Sequence, residues 1–455
     1  MLLKNLKIII FCMAASAVAS AQSDNNPPKD NSPYSRYGLG DLSDQNNAAS
    51  EAMGGLSATY HDIFHLNVQN PASFSFLKST AFEVGLYGKY AQLKKGSTKG
   101  EVWSGNLRYM ALGFPLTNPI NEILNRRRPS NYSWGMGFSL LPFSTVGYDV
   151  ESTNFLPGVG NYTYRYFGKG GTYKVQWSNS VKYKDLAFGA NLGYFFGKST
   201  NERDVYFNDL GNAYLDNLVD NTSVGGVTWS AGVLYDHNFK KKNDAGEIVN
   251  NGKRVTFGLH GNSATSFRTN SDKLYKRVNT SYIANSAGLS VTDTILLANE
   301  ARGNGKLPFE ISAGIGYEVV NKFRLAANYS FGAWSGYRND AKPETLKNGW
   351  RASVGGEYTP DYISYNSYLK RIHYRFGAFY TQDPRVYANQ QLTNYGFTFG
   401  FGLPIVLPRQ QTSFVNLSFE IGKQGIPNEL QSTYGKMTVG FTLNDNSWFY
   451  KQKFK

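Results

Sequence analysis

From residue 82 to the end of the chain, apolar and polar side chains alternate with a period of two, which is the signature of strands with unlike faces. Phe82, Val84, Leu86 and Tyr90 share one parity, and Glu83, Gly85, Tyr87 and Lys89 take the other. The pattern recurs in Trp134, Met136, Phe138 and Leu140, set against Ser133, Gly135, Gly137 and Ser139. It returns from Leu186 to Phe196, from Phe309 to Tyr317 and from Phe323 to Phe331. Such segments lie near 82–91, 101–113, 133–147, 172–183, 186–197, 225–238 and 254–263, and again near 308–319, 322–334, 350–358, 371–382, 394–406, 413–423 and 434–445. Fourteen strands are therefore expected, an even number. A further candidate, Tyr162 to Tyr166, is assigned to a loop.

The connections alternate in length. One set is tight, at Lys184-Asp185, Val320-Asn321 and 407–412; the other holds the long segments 148–171, 198–224 and 264–307. Outer-membrane barrels have short periplasmic turns, longer outside loops and strands of about ten residues with an apolar face toward lipid. Both termini then fall in the periplasm. A secreted sandwich or propeller would use strands of about 5 to 6 residues. Here they are twice that, with Tyr, Phe and Trp near their ends, as an interfacial girdle requires. Composition agrees: 18% of residues are charged, 15% are aromatic and 47 are Gly. No apolar run reaches the ~18 residues of a membrane helix. The minor-parity positions are Gly, Ser, Asn, Lys and Arg, suited to a wet or plugged lumen.

Residues 1–21 read as a signal peptide, with Lys4 and Lys7 before an apolar core from Ile8 to Val18 and an Ala19-Ser20-Ala21 cleavage site. The only cysteine, Cys12, would leave with it, so the exported chain carries no disulfide or thiol chemistry. Losing the two lysines takes the formal charge from +14 to +12. That balance favours anionic surfaces such as lipopolysaccharide and lipid head groups, or an acidic partner. Nucleic acid is not expected for an exported protein.

Residues 22–80 have another texture, polar and Pro-containing at first and then rich in small residues, with no period of two. Within them Ala52-Met53-Gly54-Gly55 is followed by Tyr60, Asp62 and Asn70-Pro71-Ala72, immediately before the first strand. Later, Leu307 to Tyr317, a tight turn, Phe323 to Tyr329 and Trp334-Ser335 form an LP-strand-turn-strand-WS hairpin, and Arg371 to Tyr380 reads R-x-x-Y-R-x-G-A-F-Y. In these motifs the chain resembles the FadL family of outer-membrane transporters for long-chain fatty acids and other hydrophobic compounds. Asn328 stands where many members have Asp.

The resemblance implies a 14-stranded antiparallel transmembrane β-barrel over 81–445, with an N-terminal hatch, 22–80, inside its lumen and a basic periplasmic tail, 446–455. Its hatch motif would comprise Gly54, Gly55, Asn70, Pro71 and Ala72. In the family, substrate leaves sideways at a kink in the third strand. Here that strand contains Pro142, which cannot donate to a ladder and must break pairing locally. The ending, Asn444 to Tyr450 and then Lys451, Lys453 and Lys455, is similar to FadL-like relatives such as PorV, which serve protein secretion rather than uptake.

Catalytic and cofactor-binding patterns are not found. His61 and His65 form H-D-I-F-H, without the glutamate of a zinc helix, and read as surface or hatch-packing residues. Gly193 to Ser199 is one residue short of a phosphate-binding loop and has no following helix. The acidic residues are scattered. An enzyme is not expected, nor a cofactor or metal. In the topology above, Arg126, Arg127, Arg128, Lys240, Lys241, Lys242, Lys451 and Lys453 face the periplasm, as solvated turns or as a docking patch. The expected function is passive uptake of hydrophobic small molecules such as long-chain fatty acids, since burial yields about 0.8 kcal/mol per CH₂ without catalytic groups. The alternative is a structural or adaptor subunit of an outer-membrane secretion or assembly complex.

Overall fold

The computed structural model describes residues 31–117, 131–210, 213–242, 248–279, 291–407, 411–427 and 429–445. The signal peptide, the basic tail with Lys451 and Lys453, and Arg126, Arg127 and Arg128 lie outside the described residues.

Among the described residues there are sixteen long strands. They are β1 (Thr80–Lys95), β2 (Thr98–Pro115), β3 (Tyr132–Leu156), β4 (Gly160–Tyr183), β5 (Leu186–Phe207), β6 (Tyr214–Lys242), β7 (Ile248–Asn262), β8 (Thr265–Asn279), β9 (Val291–Leu307), β10 (Glu310–Val319), β11 (Phe323–Gly332), β12 (Gly349–Tyr358), β13 (His373–Tyr387), β14 (Gln390–Leu407), β15 (Gln411–Gly425) and β16 (Leu430–Asp445). Fourteen are staves of one closed antiparallel barrel. β7 pairs directly with β10, from Asn262↔Glu310 to Lys253↔Val319, and β16 pairs with β1, from Asp445↔Thr80 to Leu430↔Lys95. The remaining two, β8 and β9, form a hairpin whose first strand pairs with the far half of β6, from Gly225↔Arg268 to Tyr214↔Asn279.

The segments expected as long loops are therefore strands. Residues 148–171 continue β3 and β4 in register to a tip at 157–159, Tyr162 to Tyr166 included, and 198–224 largely extend β5 and β6. Most of 264–307 is the β8–β9 hairpin. Their polar composition hides the alternation, because above the lipid neither face must be apolar, yet the cross-strand hydrogen bonds persist. From Asp149 to Leu156 alone, β3 gains roughly 25 Å of strand. We call this end the upper rim and the end with the short turns the lower rim. The wall is lopsided: β3 to β6 have 22 to 29 residues each, whereas β10, β11 and β12 have 10 each.

The outer face is apolar. Leu86, Phe138, Phe188, Val227, Ile315, Phe397 and Ile421 project from it exposed, an area that in water would be an aggregation surface. Aromatic belts bound it. Tyr132, Tyr183, Tyr235 and Tyr358 ring the lower rim. Higher up, Tyr329, Trp350, Tyr380 and Tyr395 stack across adjacent strands at 6.1, 5.4 and 6.2 Å, and Tyr90 meets Trp103 at 4.9 Å. From Trp350 to Tyr358 a tilted strand climbs roughly 20 Å, close to the apolar band of an outer-membrane barrel.

Candidate functional site

Residues 32–79 sit within the barrel and pack against its inner face. Glycines on the wall make the contact possible. A Cβ on Gly232 would run into the side chain of Asn70, one on Gly189 into the backbone of Pro71 and Ala72, and one on Gly377 into Met53 and Gly54. Gly135 and Gly137 give the same clearance to Phe74. These are minor-parity positions, so the glycines that weaken a strand elsewhere here admit a second backbone.

The hatch-motif residues are seating points. Asn70 caps a short 3-10 helix (Pro71–Phe76): its Oδ1 accepts the Ala72 N–H at 3.2 Å, and its Nδ2 donates to the Ala58 carbonyl at 2.7 Å. Pro71 occupies the first turn, where its missing N–H costs no bond, and Ala72 is fully buried. Gly54 and Gly55 have φ of +74° and +80°, the left-handed region. There the chain turns back so that the Gly54 N–H reaches Thr398 Oγ1 at 2.9 Å. Asn328, in place of an Asp, accepts the Ala58 N–H at 3.0 Å, a role a neutral amide fills.

Charge fixes the hatch as well. Glu51, 3% exposed, lies 3.4 Å from Arg108 and 2.6 Å from Lys436, whose Nζ is also 2.6 Å from Glu420. Burial pushes the Glu51 carboxyl up, but Arg108 and Lys436 outweigh that and hold it below the usual carboxylate range. Arg108 and Tyr109 both point inward because the register slips by one residue between Gly85 and Leu86, a β-bulge. The Tyr109 hydroxyl accepts the Ala48 N–H at 3.2 Å. Nearer the lower rim, His61 is 3.2 Å from Asp236 and His65 is 3.0 Å from Glu83, both histidines being buried. Arg324 bonds the His61 carbonyl at 3.1 Å and Glu318 at 3.1 Å.

Along the sequence the carboxylates are scattered. Folding gathers Glu83, Asp236, Glu318, Glu357 and Glu420 onto the lumen face, all at minor parity, and that parity was the available signal. Among the described residues no group of three His, Cys, Asp or Glu is placed to hold a metal.

Two spaces meet the hatch. Toward the upper rim an apolar cluster of Phe143, Phe195, Phe267 and Trp334 is filled by Leu39, Leu42 and Leu346 of the same chain. Beside it a cavity of about 390 Å³ is lined by Arg108, Lys174, Gln176, His260, Glu310 and Lys436 among others.

Pro142 marks a break. β3 pairs with β2 from Gly135↔Pro115 to Leu140↔Met110, and this ladder stops there. On its other side β3 bulges between Pro142 and Ser144 against β4. Above the break Ser144, Val146 and Tyr148, all under 8% exposed, continue the buried face that Leu141 holds below it, the bulge having moved that face from odd to even positions. Of the basic candidates, Lys240, Lys241 and Lys242 are described; they are exposed and end β6 at the lower rim, paired with Asn250, Val249 and Ile248.

A closed fourteen-stave antiparallel barrel with residues 32–79 packed against its inner face is a FadL-like fold. The toluene transporter TbuX of Ralstonia pickettii superposes with a TM-score of 0.52 at 12% identity, covering 88% of this chain and 98% of that one. A FadL homologue of Pseudomonas aeruginosa gives 0.51 at 13%, covering 89% and 98%. At such identities the likeness is one of fold alone. No curated protein matches the chain in sequence. The family model described as BamG matches residues 1–455, and the chain belongs to the BamG family. The FadL resemblance thus holds for the architecture, while the sequence family is BamG.

Proposed function

We propose that this protein is a structural or adaptor subunit of an outer-membrane protein secretion or assembly complex. The observation that carries this reading is the seating of the hatch. Ion pairs join it to the wall through Arg108, Lys436, Asp236 and Glu83, glycine contacts press it against several staves, and the apolar cluster beside it is occupied by the chain's own leucines. The cavity left over sets Arg108, Lys174, Glu310 and Lys436 among apolar side chains such as Phe143, Leu307 and Trp334, and burying an oily ligand against those charges is costly. Both termini lie in the periplasm in this reading, and the lower rim meets periplasmic partners. Lys240, Lys241 and Lys242 at that rim, with Arg126, Arg127, Arg128, Lys451 and Lys453 from outside the described residues, are the basic residues assigned to docking in this reading, while lipopolysaccharide and lipid surround the wall. Extraction in mild detergent with native mass spectrometry tests the proposal: a stoichiometric companion chain is expected, and a monomer alone refutes it. Replacing Arg126 to Arg128 and the tail lysines by Gln should release that companion if the patch is its seat.

One observation favours a second reading, passive uptake of hydrophobic small molecules with lateral exit. The wall parts at Pro142, and barrels of this architecture include a toluene transporter. Deleting the gene and following uptake of labelled long-chain fatty acids and toluene decides it. Unchanged uptake removes this reading.

A further inference from the structure

The seam between β2 and β3 has unlike lips. On the β3 side, Ser144 and Thr145 pair with Leu42 and Asp41, the Phe143 carbonyl accepts the Ser43 N–H at 2.9 Å, and the Gly147 carbonyl accepts the Ser32 N–H at 2.7 Å. The hatch therefore takes up the edge that β3 exposes on leaving β2. Among the described residues the β2 side has no partner strand. Above Met110 its ladder runs only to β1, from Leu107↔Leu86 to Thr98↔Lys95.

Which groups face the seam follows from the turn. β1 and β2 are joined by the two residues Gly96 and Ser97, and in such a hairpin the closing pair is hydrogen-bonded and partners then alternate. Lys99, Glu101, Trp103, Gly105 and Leu107 accordingly aim N–H and C=O away from β1. Asn106 Oδ1 accepts the Leu107 N–H at 2.8 Å, a local cap for one of these donors. No described residue takes those of Trp103 and Gly105. Trp103 belongs to the upper aromatic belt, so the edge below it lies within the apolar band, where unpaired backbone cannot face lipid. Pro142, on the opposite lip, lacks the donor with which β3 could close the gap.

We propose that the bare edge of β2 from Trp103 to Leu107 is a docking site for an extended strand of another outer-membrane polypeptide, running antiparallel to β2 from the lower rim upward. This rests on the subunit reading and names the surface through which it acts. A strand supplies backbone donors and acceptors at the spacing the edge requires, which acyl chains cannot do. Trp103, 76% exposed beside the edge, offers that partner an aromatic anchor.

Hydrogen exchange of the Trp103 and Gly105 amides, compared between isolated outer membranes and the purified monomer, tests this without any substitution. Docking predicts exchange slower by at least about tenfold in the membrane, as strand pairing protects amides. Equal rates overturn it and leave the seam to water from the neighbouring cavity or to a passing ligand. Two variants separate the surface from the parent reading. Gly105→Pro removes one edge donor without touching the bonds to β1, and Gly105→Ala keeps it at the same contact with the Tyr87 carbonyl. Loss of the companion chain from a folded Gly105→Pro barrel, with retention in Gly105→Ala, supports the site. A companion retained by both variants overturns the site but not the complex, and a wild-type protein that is monomeric on mild extraction overturns both.

Discussion

On β12, two adjacent residues meet opposite demands. Val354 points outward and is 48% exposed toward lipid, whereas Gly355 points inward and carries the backbone of Met53 against its Cα. The same division runs around the barrel. Outward positions need apolar bulk and tolerate imprecise packing, because lipid adapts to them. Inward positions need absence of bulk, or a charge with a named partner, because another part of the chain is fixed there. The inner face is therefore the less forgiving of the two.

The sharpest test of that contrast is Lys436→Ala. It leaves Glu51 and Glu420 facing each other without their shared cation, and a buried pair broken on one side typically loses about 3–5 kcal/mol. A drop in the urea midpoint of the folded barrel in detergent micelles reads it. Gly377→Val should follow at about 3 kcal/mol, because the new side chain meets hatch backbone rather than a movable side chain. Faster proteolysis within residues 32–79 and ion conductance in planar bilayers would show the hatch unseated. On the outer face, Val354→Arg is expected to lose about 2–4 kcal/mol in bilayers, from lipid exposure alone, with the hatch still resistant to protease. Should Val354→Arg release the hatch as readily as Gly377→Val, the division between faces fails.

Acid gives a graded version. The Glu51 carboxyl is held below the ordinary range by Arg108 and Lys436, so its contribution is complete at neutral pH and is lost as pH falls below about 4. In Glu51→Gln that acid loss should be reduced, as followed by protease sensitivity of the hatch across pH 3 to pH 7, in roughly unit steps. The smallest effect belongs to the hairpin tip. Phe155, 68% exposed above the lipid, should change stability by less than about 0.5 kcal/mol on replacement by Ser.

The staves were legible in the sequence because lipid imposes a strict rule on every second residue. Fourteen alternating segments correspond to fourteen staves, and the short turns at Lys184-Asp185 and Val320-Asn321 stand where the tight set was expected. The upper halves of β3 to β6 and the β8–β9 hairpin were not legible, since water on both faces removes that rule and leaves strands that read as loops. For the candidate site, Asn70, Pro71 and Ala72 were visible as a motif, but their work lies in Gly189 and Gly232 opposite, 117 to 162 residues further on. Pairs such as Glu51 with Lys436 or His61 with Asp236 depend on which stave faces which part of the hatch. Only closure of the barrel fixes that. Arg108 shows a further limit: its inward aim comes from a one-residue slip, which alternation cannot foresee.

The uneven height of the wall gives the molecule a heading. A smooth cylinder could present any azimuth to its neighbours, but here the raised strands begin at β3, on one side of the open seam, and the low rim of β10 to β12 lies farther round. Any body that leaned on the raised strands would be held at a set angle from the seam, so two neighbours could be kept in register with each other without touching.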